Sequence, residues 1–328
     1  MLVSAGCNSA PPLTSTASSA ETVGPGLTQT IEIAASDTPA ALRNNIVIVS
    51  ENLSGTSELA VIQNQLQSYS NDHDLSLQLI DSIHSIDFKN TTLVYLKQPG
   101  EDWINLAQQN PTVKFILESE QRFNLPENAY QILTPRDDLV FVAGYLSALI
   151  SEDWRTAALV TDESISGDSI SNLFSNGVRY LCGLCAPVFG PIVYFPAIAT
   201  APALADTAAL TQAYGEIANV RPNVIFISPE FVSVDFVTAL KQNGITVISQ
   251  QTEDSGKNEL LDIRIGYDLN PALNTLLSTN FESDTHVFKA TFSVESRVQK
   301  LTAGKQDNLN LLLLNLQKGF VSSHTVTQ

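Results

Sequence analysis

The chain has 328 residues, of which 44% are hydrophobic and 16% are charged. This composition is typical of a globular protein with large buried sheets and excludes a disordered chain. The 34 acidic and 17 basic residues give a formal net charge of −17. Such a surface repels phosphate backbones, so we expect no nucleic-acid partner. The length is sufficient for two lobes of roughly 120–150 residues each.

The first cysteine, Cys7, follows the small residues of the sequence LVSAG. This pattern resembles a bacterial lipidation site, although Ser4 stands where the pattern has Leu and the charged and apolar signal regions are missing. Residues 8–30 are rich in Pro, Ser, Thr, Ala and Gly and contain no Lys or Arg, which predicts a flexible tether. We therefore expect residues 1–40 to be a lipobox-like start and tether, with an incidental Cys7 as the alternative.

Apolar runs and helical patterns alternate along the first part of the chain after this tether. Alternation at this spacing indicates a parallel, doubly wound sheet. Thr134 precedes Pro135 and is therefore pushed out of the α region, which sets the start of the next helix. We place the crossover to the second part of the chain at these two residues. The predicted strands are 45–50, 75–80, 91–96, 113–117 and 130–133, and the predicted helices are 58–69 and 103–108.

The second part begins with a helix over 138–151, whose apolar residues leave almost no polar face, so we expect it to be buried. Gly244 and Gly319 each follow a predicted helix and suit an αL cap. The other predicted strands are 156–161, 188–196, 224–227, 245–248 and 260–265, and the other helices are 169–180, 204–219, 231–243, 271–278 and 307–318. We assign 41–135 and about 253–290 to lobe one, and 136–252 and part of 291–328 to lobe two.

Residues 141–149, FVAGYLSAL, a following strand, and residues 172–177, NLFSNG, resemble the basic membrane protein family of bacterial substrate-binding lipoproteins. That family has a similar FLAGYLAA helix and a following F-x-x-G helix. The resemblance covers roughly residues 45–320 and implies a two-lobed type I periplasmic-binding-protein-like fold. It also implies a nucleoside or another small solute, delivered to an ABC permease. The family's first strand usually leads into a ligand loop with Asp and Phe/Asn, whereas residues 50–55 here read SENLSG.

Polar residues follow the predicted strands, at the sheet edge where the ligand of an α/β domain sits. In a two-lobed binder such side chains converge on a cleft that closes around the solute. Each is explained equally well as a solvated loop residue or a helix cap. The candidates are Ser50, Glu51, Glu118, Ser119, Asp162, Glu163, Ser228, Glu230, Gln250 and Asp268. Their acidic and amide-rich balance favours a neutral polyol, a nucleoside-like solute or a cation. Trp103, Tyr145 and Phe231 are candidates for a stacking face, with core packing as the alternative.

The pair Cys182 and Cys185 fits a redox pair, half of a zinc site or a structural disulfide. A redox pair places its first cysteine at a helix N-terminus, and this pair follows a helix. A zinc site needs two more ligands, and the four histidines form no spaced pair. In an exported protein we expect a disulfide, with free thiols as the alternative.

The sequence contains no G-x-S-x-G, H-E-x-x-H or P-loop pattern, so we expect no enzymatic activity, no metal and no cofactor. The predicted function is that of an extracytoplasmic lipoprotein, anchored by lipid at the cell surface or in the periplasm. It would capture a small polar solute by hinge closure for an ABC importer. The alternative is a sensory or accessory lipoprotein of the same fold that signals through a membrane partner.

Overall fold

The computed structural model describes residues 45–50, 57–100, 102–165, 167–186, 193–252 and 254–324. These residues belong to one compact unit that is built on two large sheets. Cys7, the predicted tether and Glu51 lie outside the described residues.

The first sheet is parallel throughout its described strands, and helices cover both of its faces. Its strands, numbered along the chain, are β1 (Asn45–Val49), β2 (Ser76–Ile80), β3 (Thr91–Lys97), β4 (Lys114–Ser119), β5 (Ala129–Leu133) and β13 (Val287–Lys289). Their order is β13-β5-β4-β3-β1-β2. The helices α1 (Ser57–Asp72) and α8 (Asn270–Ser278) pack on one face, and α2 (Trp103–Gln109) packs on the other. Burial on both faces explains why the strands are nearly continuous apolar runs.

The second sheet has the same layered construction, with one antiparallel edge. Its strands are β6 (Thr156–Thr161), β9 (Ala197–Ala201), β10 (Val224–Ile227), β11 (Thr246–Gln250), β12 (Ile263–Asp268) and β14 (Thr291–Ser296). Their order is β14-β12-β11-β10-β6-β9, and β14 runs antiparallel to β12. One face packs against α3 (Arg136–Ile150), α4 (Ile170–Cys182) and α9 (Ala303–Gln317). The other face packs against α5 (Thr207–Ala218) and α6 (Val234–Gln242).

Two short elements complete the second lobe. A small antiparallel hairpin, β7 (Ser164–Ile165) with β8 (Asp168–Ser169), lies between β6 and α4. The helix α7 (Ser255–Leu260) lies between β11 and β12.

Within the described residues, the chain crosses from one lobe to the other three times. The crossings lie between β5 and α3, between β12 and α8, and between β13 and β14. Tyr267, at the second of these crossings, packs against the cores of both lobes. Its hydroxyl donates to the carbonyl oxygen of Pro135 at 2.9 Å, so it joins the second crossing to the first. Crossing segments of this kind are where two lobes hinge.

Helices α3 and α4 approach each other closely because glycines face each other's backbone. A Cβ built on Gly144 would lie 3.0 Å from the amide nitrogen of Val178 and closer still to the carbonyl oxygen of Phe174. A Cβ on Gly177 would lie 2.8 Å from the amide nitrogen of Tyr145. Real Cβ atoms do not pack this closely in protein interiors. The two glycines therefore set the spacing of the helices that cover one face of the second sheet.

The predicted strand at 188–196 is wrong where the structure describes it, because residues 193–196 form no strand. The neighbour of β6 is instead β9, which begins at Ala197. Pro196 has no N–H to offer a ladder, so the strand starts after it. The assignment of about 253–290 to the first lobe is also corrected, since β12 pairs with β11 in the second sheet while α8 packs on the first.

Candidate functional site

A cleft of about 180 Å³ opens between the two lobes, beside the first and second crossings. It lies at the carboxyl ends of β3, β4, β5 and β11, the edge at which α/β proteins bind their ligands. The residues that line it are Lys97, Gln98, Glu118, Ser119, Glu120, Thr134, Arg136, Leu139, Gln250, Gln251, Thr252, Gly266 and Tyr267. Three of the sequence candidates, Glu118, Ser119 and Gln250, are therefore brought together in one cleft.

Gln250 has the most distinctive environment in this cleft. The residue is only 6% exposed, and its Nε2 atom has no hydrogen-bond partner among the residues that the structure describes. A buried amide donor without a partner costs about 1–3 kcal/mol. The side-chain oxygen and nitrogen of a glutamine can be exchanged by rotating the amide group by half a turn. A solute hydroxyl can bond to whichever of the two atoms lacks a partner, because it can both donate and accept. The side chain is thus prepared for a polar ligand atom.

Gln251 lies beside Gln250 and is held by the neighbouring strand. The backbone N–H of Gln251 donates to the carbonyl oxygen of Ile265 at 2.7 Å. A Cβ on Gly266 would lie 2.9 Å from the Oε1 atom of Gln251. The glycine therefore leaves the space that the Gln251 side chain occupies at the cleft wall.

The wall from the first lobe is fixed by internal hydrogen bonds. The Tyr95 hydroxyl donates to the Oε2 atom of Glu118 at 2.7 Å. Ser119 donates from Oγ to the carbonyl oxygen of Gln121 at 2.6 Å and accepts from the Nε2 atom of Gln131 at 2.7 Å. Glu118 and Ser119 are both buried, so these bonds orient them before any ligand arrives.

Arg136 brings positive charge to the cleft, and two acidic side chains compensate it. Its guanidinium lies 3.1 Å from the carboxylate of Glu230 and 3.7 Å from that of Glu163. Glu230 and Glu163 thus hold Arg136 and do not themselves line the cleft. Desolvation by the surrounding protein raises the pKa of Glu120, while the nearby charge of Arg136 lowers it.

Other sequence candidates have local structural roles or lie outside the cleft lining. Ser228 accepts from the amide of Thr161 at 3.2 Å, between two strands. Asp268 accepts from the amide of Asn270 at 3.0 Å, at the start of α8. Asp162 is exposed, and Ser50 is buried, with no partner for its hydroxyl oxygen in the described part of the chain.

The three aromatic candidates are core residues. Trp103, Tyr145 and Phe231 are buried in three different clusters, behind the sheets and away from the cleft. The stacking role considered for them is therefore wrong. Tyr267 is the aromatic residue among those lining the cleft. Burial, followed by the charges of Asp138, Asp137 and Glu120, raises the pKa of the Tyr267 hydroxyl well above its usual value.

Sequence reasoning missed several residues of the cleft. Lys97 is the last residue of β3 and Gln98 follows it, so both stand at the end of the predicted strand 91–96, where a ligand is expected. Arg136 lies between the predicted strand at 130–133 and the predicted helix at 138–151, and it is not among the sequence candidates. Tyr267 required knowledge that β12 belongs to the second sheet and ends at a crossing.

The structure joins Cys182 and Cys185 by a disulfide, with Cα atoms 5.1 Å apart. This distance is ordinary for a disulfide. Within the described ranges, no group of three or more His, Cys, Asp or Glu residues is placed to hold a metal ion. In the same ranges, no helix is long and apolar enough to cross a membrane.

Comparison with known proteins identifies the fold. No protein-family model matches the chain, and a search of curated proteins finds no match. A solved transcriptional activator of the comK gene from Bacillus halodurans is 10% identical, with a TM-score of 0.58 over 86% of this chain and 100% of that chain. An ABC transporter solute-binding protein from Aeropyrum pernix K1 is 11% identical, with a TM-score of 0.54 over 85% and 92%. A Mycobacterium smegmatis protein in complex with β-D-fucofuranose is 11% identical, with a TM-score of 0.50 over 83% and 98%.

These likenesses and the two helix-covered sheets define the class. The chain has the two-lobed, type I periplasmic-binding-protein-like α/β fold, as predicted.

Proposed function

We propose that this protein is a solute-binding protein that encloses a small polar solute between its two lobes and delivers it to an ABC importer. The observation that carries the proposal is the buried, unpartnered amide of Gln250 in the interlobe cleft. The cleft also lies beside two crossings, so closure of the lobes would bury a solute there. Similar folds in an ABC transporter solute-binding protein and in a sugar complex agree with this role.

The charges at the cleft disfavour an anionic solute. Lys97 and Arg136 face Glu118 and Glu120, so the formal charges of the lining residues balance. Glu230 and Glu163 further compensate the guanidinium of Arg136. A phosphate would therefore gain little net attraction. A polyol, sugar or nucleoside-like solute, with hydroxyls for Gln250, fits this balance best.

The finer parts of the proposal rest on sequence. Residues 141–149 and 172–177 support membership of the basic membrane protein family, and Cys7 supports a lipid anchor that would hold the protein outside the cytoplasm. The proposed function requires no chemistry at the site.

The test is a thermal-shift screen of the full chain against nucleosides, monosaccharides, polyols, polyamines and amino acids. A solute at a hundred times its dissociation constant adds about 2.7 kcal/mol to the native state, which is a shift of several degrees. We expect a shift with an uncharged hydroxylated compound. Absence of any shift, on protein shown to be folded and ligand-free, would contradict the proposal and favour the sensory role.

Gln250→Ala identifies the site of any solute found in this way. Loss of one hydrogen bond of about 0.5–1.5 kcal/mol weakens binding by up to about tenfold. Gln212→Ala, an exposed change on α5, is the matched control. Equal affinity of the two variants would place the solute elsewhere.

A further inference from the structure

His324 lies between two carboxylates, one from the start of α3 and one from the β7–β8 hairpin. Its Nε2 atom is 3.0 Å from Oδ2 of Asp137, and its Nδ1 atom is 2.7 Å from Oδ2 of Asp168. A neutral imidazole has a single N–H, whereas both carboxylates are acceptors. Both contacts are therefore hydrogen bonds only when the ring carries two protons and a positive charge.

We propose that charged His324 is a pH-dependent clasp. It fastens the segment after α9 (residues 318–324) and the β7–β8 hairpin to the first turn of α3. This goes beyond solute binding and does not depend on it.

The groups around the ring show why its charge matters. Asp137 is 6% exposed, so its carboxylate requires a cationic partner. Asp138, also on α3, interacts with the charges of His324 and of Lys289 from β13, and accepts a hydrogen bond from Ser323. Two positive groups, Lys289 and the imidazolium of His324, therefore lie among three carboxylates, those of Asp137, Asp138 and Asp168. When the ring loses its proton, the buried carboxyl group of Asp137 loses this cationic partner.

The contacts on either side connect the clasp to the rest of the lobe. Ser323 is buried, and its carbonyl oxygen accepts from Nδ2 of Asn176 on α4 at 3.2 Å. Glu163, just before the hairpin, pairs with Arg136 at 3.7 Å. One end of the hairpin therefore contacts Arg136, and the other end is joined through His324 to Asp137, the next residue of α3. Arg136 also lines the interlobe cleft. Only the His324 contact changes with protonation near neutral pH.

The direction of the pH effect follows from linkage. The hydrogen bond to Asp168 raises the pKa of His324, burial lowers it, and the charge of Asp137 raises it, with a net increase. A group whose folded-state pKa is raised contributes stability that is complete below its unfolded pKa of about 6.5. That contribution is lost as the pH rises through the folded-state pKa.

The experiment compares the full chain with His324→Gln and with the control His84→Gln. His84 is an exposed residue, 3.7 Å from Asp102. NMR titration of the imidazole protons, assigned with His324→Gln, should show His324 titrating above the usual histidine pKa of about 6.5. The melting temperature of the wild type should exceed that of His324→Gln by a few degrees at pH 5.5, and the difference should vanish by pH 9. His84→Gln should follow the wild type at each pH.

Hydrogen exchange locates the effect. Amides in 162–165 and 136–140 should be several-fold better protected in the wild type than in His324→Gln at pH 6, and equally protected at pH 9. Asp168→Asn should reproduce the loss. A melting difference that is constant with pH, or a His324 that titrates at or below the usual histidine pKa, would overturn the clasp.

Discussion

Replacing Gly144 by alanine tests whether the close contact of α3 with α4 determines the stability of the second lobe. The added methyl would lie 3.0 Å from the amide nitrogen of Val178 and closer to Phe174, in both cases to backbone atoms that cannot rotate away. Overpacking of this kind costs about 3 kcal/mol, and a gap opened between the helices loses further dispersion contacts. Alanine regains about 1 kcal/mol of helix propensity. We therefore expect a net loss of about 2 kcal/mol or more.

Urea unfolding, followed by tryptophan fluorescence, measures this loss. The chain has two tryptophans, and Trp103 packs in the first lobe while Trp154 packs against the core of the second. A Trp103→Phe background therefore reports the second lobe through Trp154.

Gly215→Ala is the matched control for Gly144→Ala. Gly215 lies in α5, and a Cβ there would meet nothing within 4 Å. Its replacement should stabilise the protein by up to about 1 kcal/mol, because only the propensity gain operates. If Gly144→Ala were as stable as the wild type, or gained as much as Gly215→Ala, the packing argument would be refuted.

Two further predictions concern structural bonds. Asn128→Ala should cost about 2 kcal/mol in urea unfolding, because the two N–H groups of Asn128 Nδ2 are shared among three buried or partly buried carbonyls. The exposed change Asn71→Ala should stay within about 0.5 kcal/mol. Those carbonyls belong to Ala107, Asn110 and Val113, at 3.0, 3.0 and 2.8 Å. Reduction of the disulfide between Cys182 and Cys185 should cost about 2 kcal/mol for its short loop. Thiol reagents should label neither cysteine in unreduced, unfolded protein, and labelling of both would contradict the bond.

The sequence predicts most of the buried strands and helices correctly. The strands at 156–161 and 224–227 have the predicted bounds, because a strand covered on both faces is a continuous apolar run. The helix predicted at 138–151 is α3, which is buried from Leu139 to Ile150. Gly244 and Gly319 follow helices with φ values of +74° and +73°, as an αL cap requires.

Elements without a strong apolar pattern are not predicted. The strand β9, AIATA, has one bulky side chain, Ile198, among three alanines and a threonine, so its apolar pattern is too weak to mark a strand. The edge strand β14 is only partly buried, and it was not predicted either. Whether β12 joins the first or the second sheet depends on pairing between residues far apart in the chain, which local patterns do not contain.

Which strand-end residues line the cleft depends on how each side chain is placed in three dimensions. Ser228, Asp268 and Gln250 all lie at strand ends, yet Ser228 and Asp268 accept from the backbone amides of Thr161 and Asn270. Gln250 keeps an unpartnered Nε2 atom. The sequence places all three at strand ends and cannot separate them, because the difference lies in the three-dimensional neighbours of each side chain.

The two stretches on which the family resemblance rests belong to the contact between α3 and α4. Gly144 and Gly177 lie within 141–149 and 172–177, and both are required by the contact between α3 and α4. No residue of either stretch lines the cleft among the residues described. A resemblance based on these stretches therefore predicts the packing of the second lobe, and so the fold, without specifying the solute. Solute identity depends on Gln250 and its neighbours in the cleft, so the thermal-shift screen and the Gln250 variant decide what helix similarity cannot.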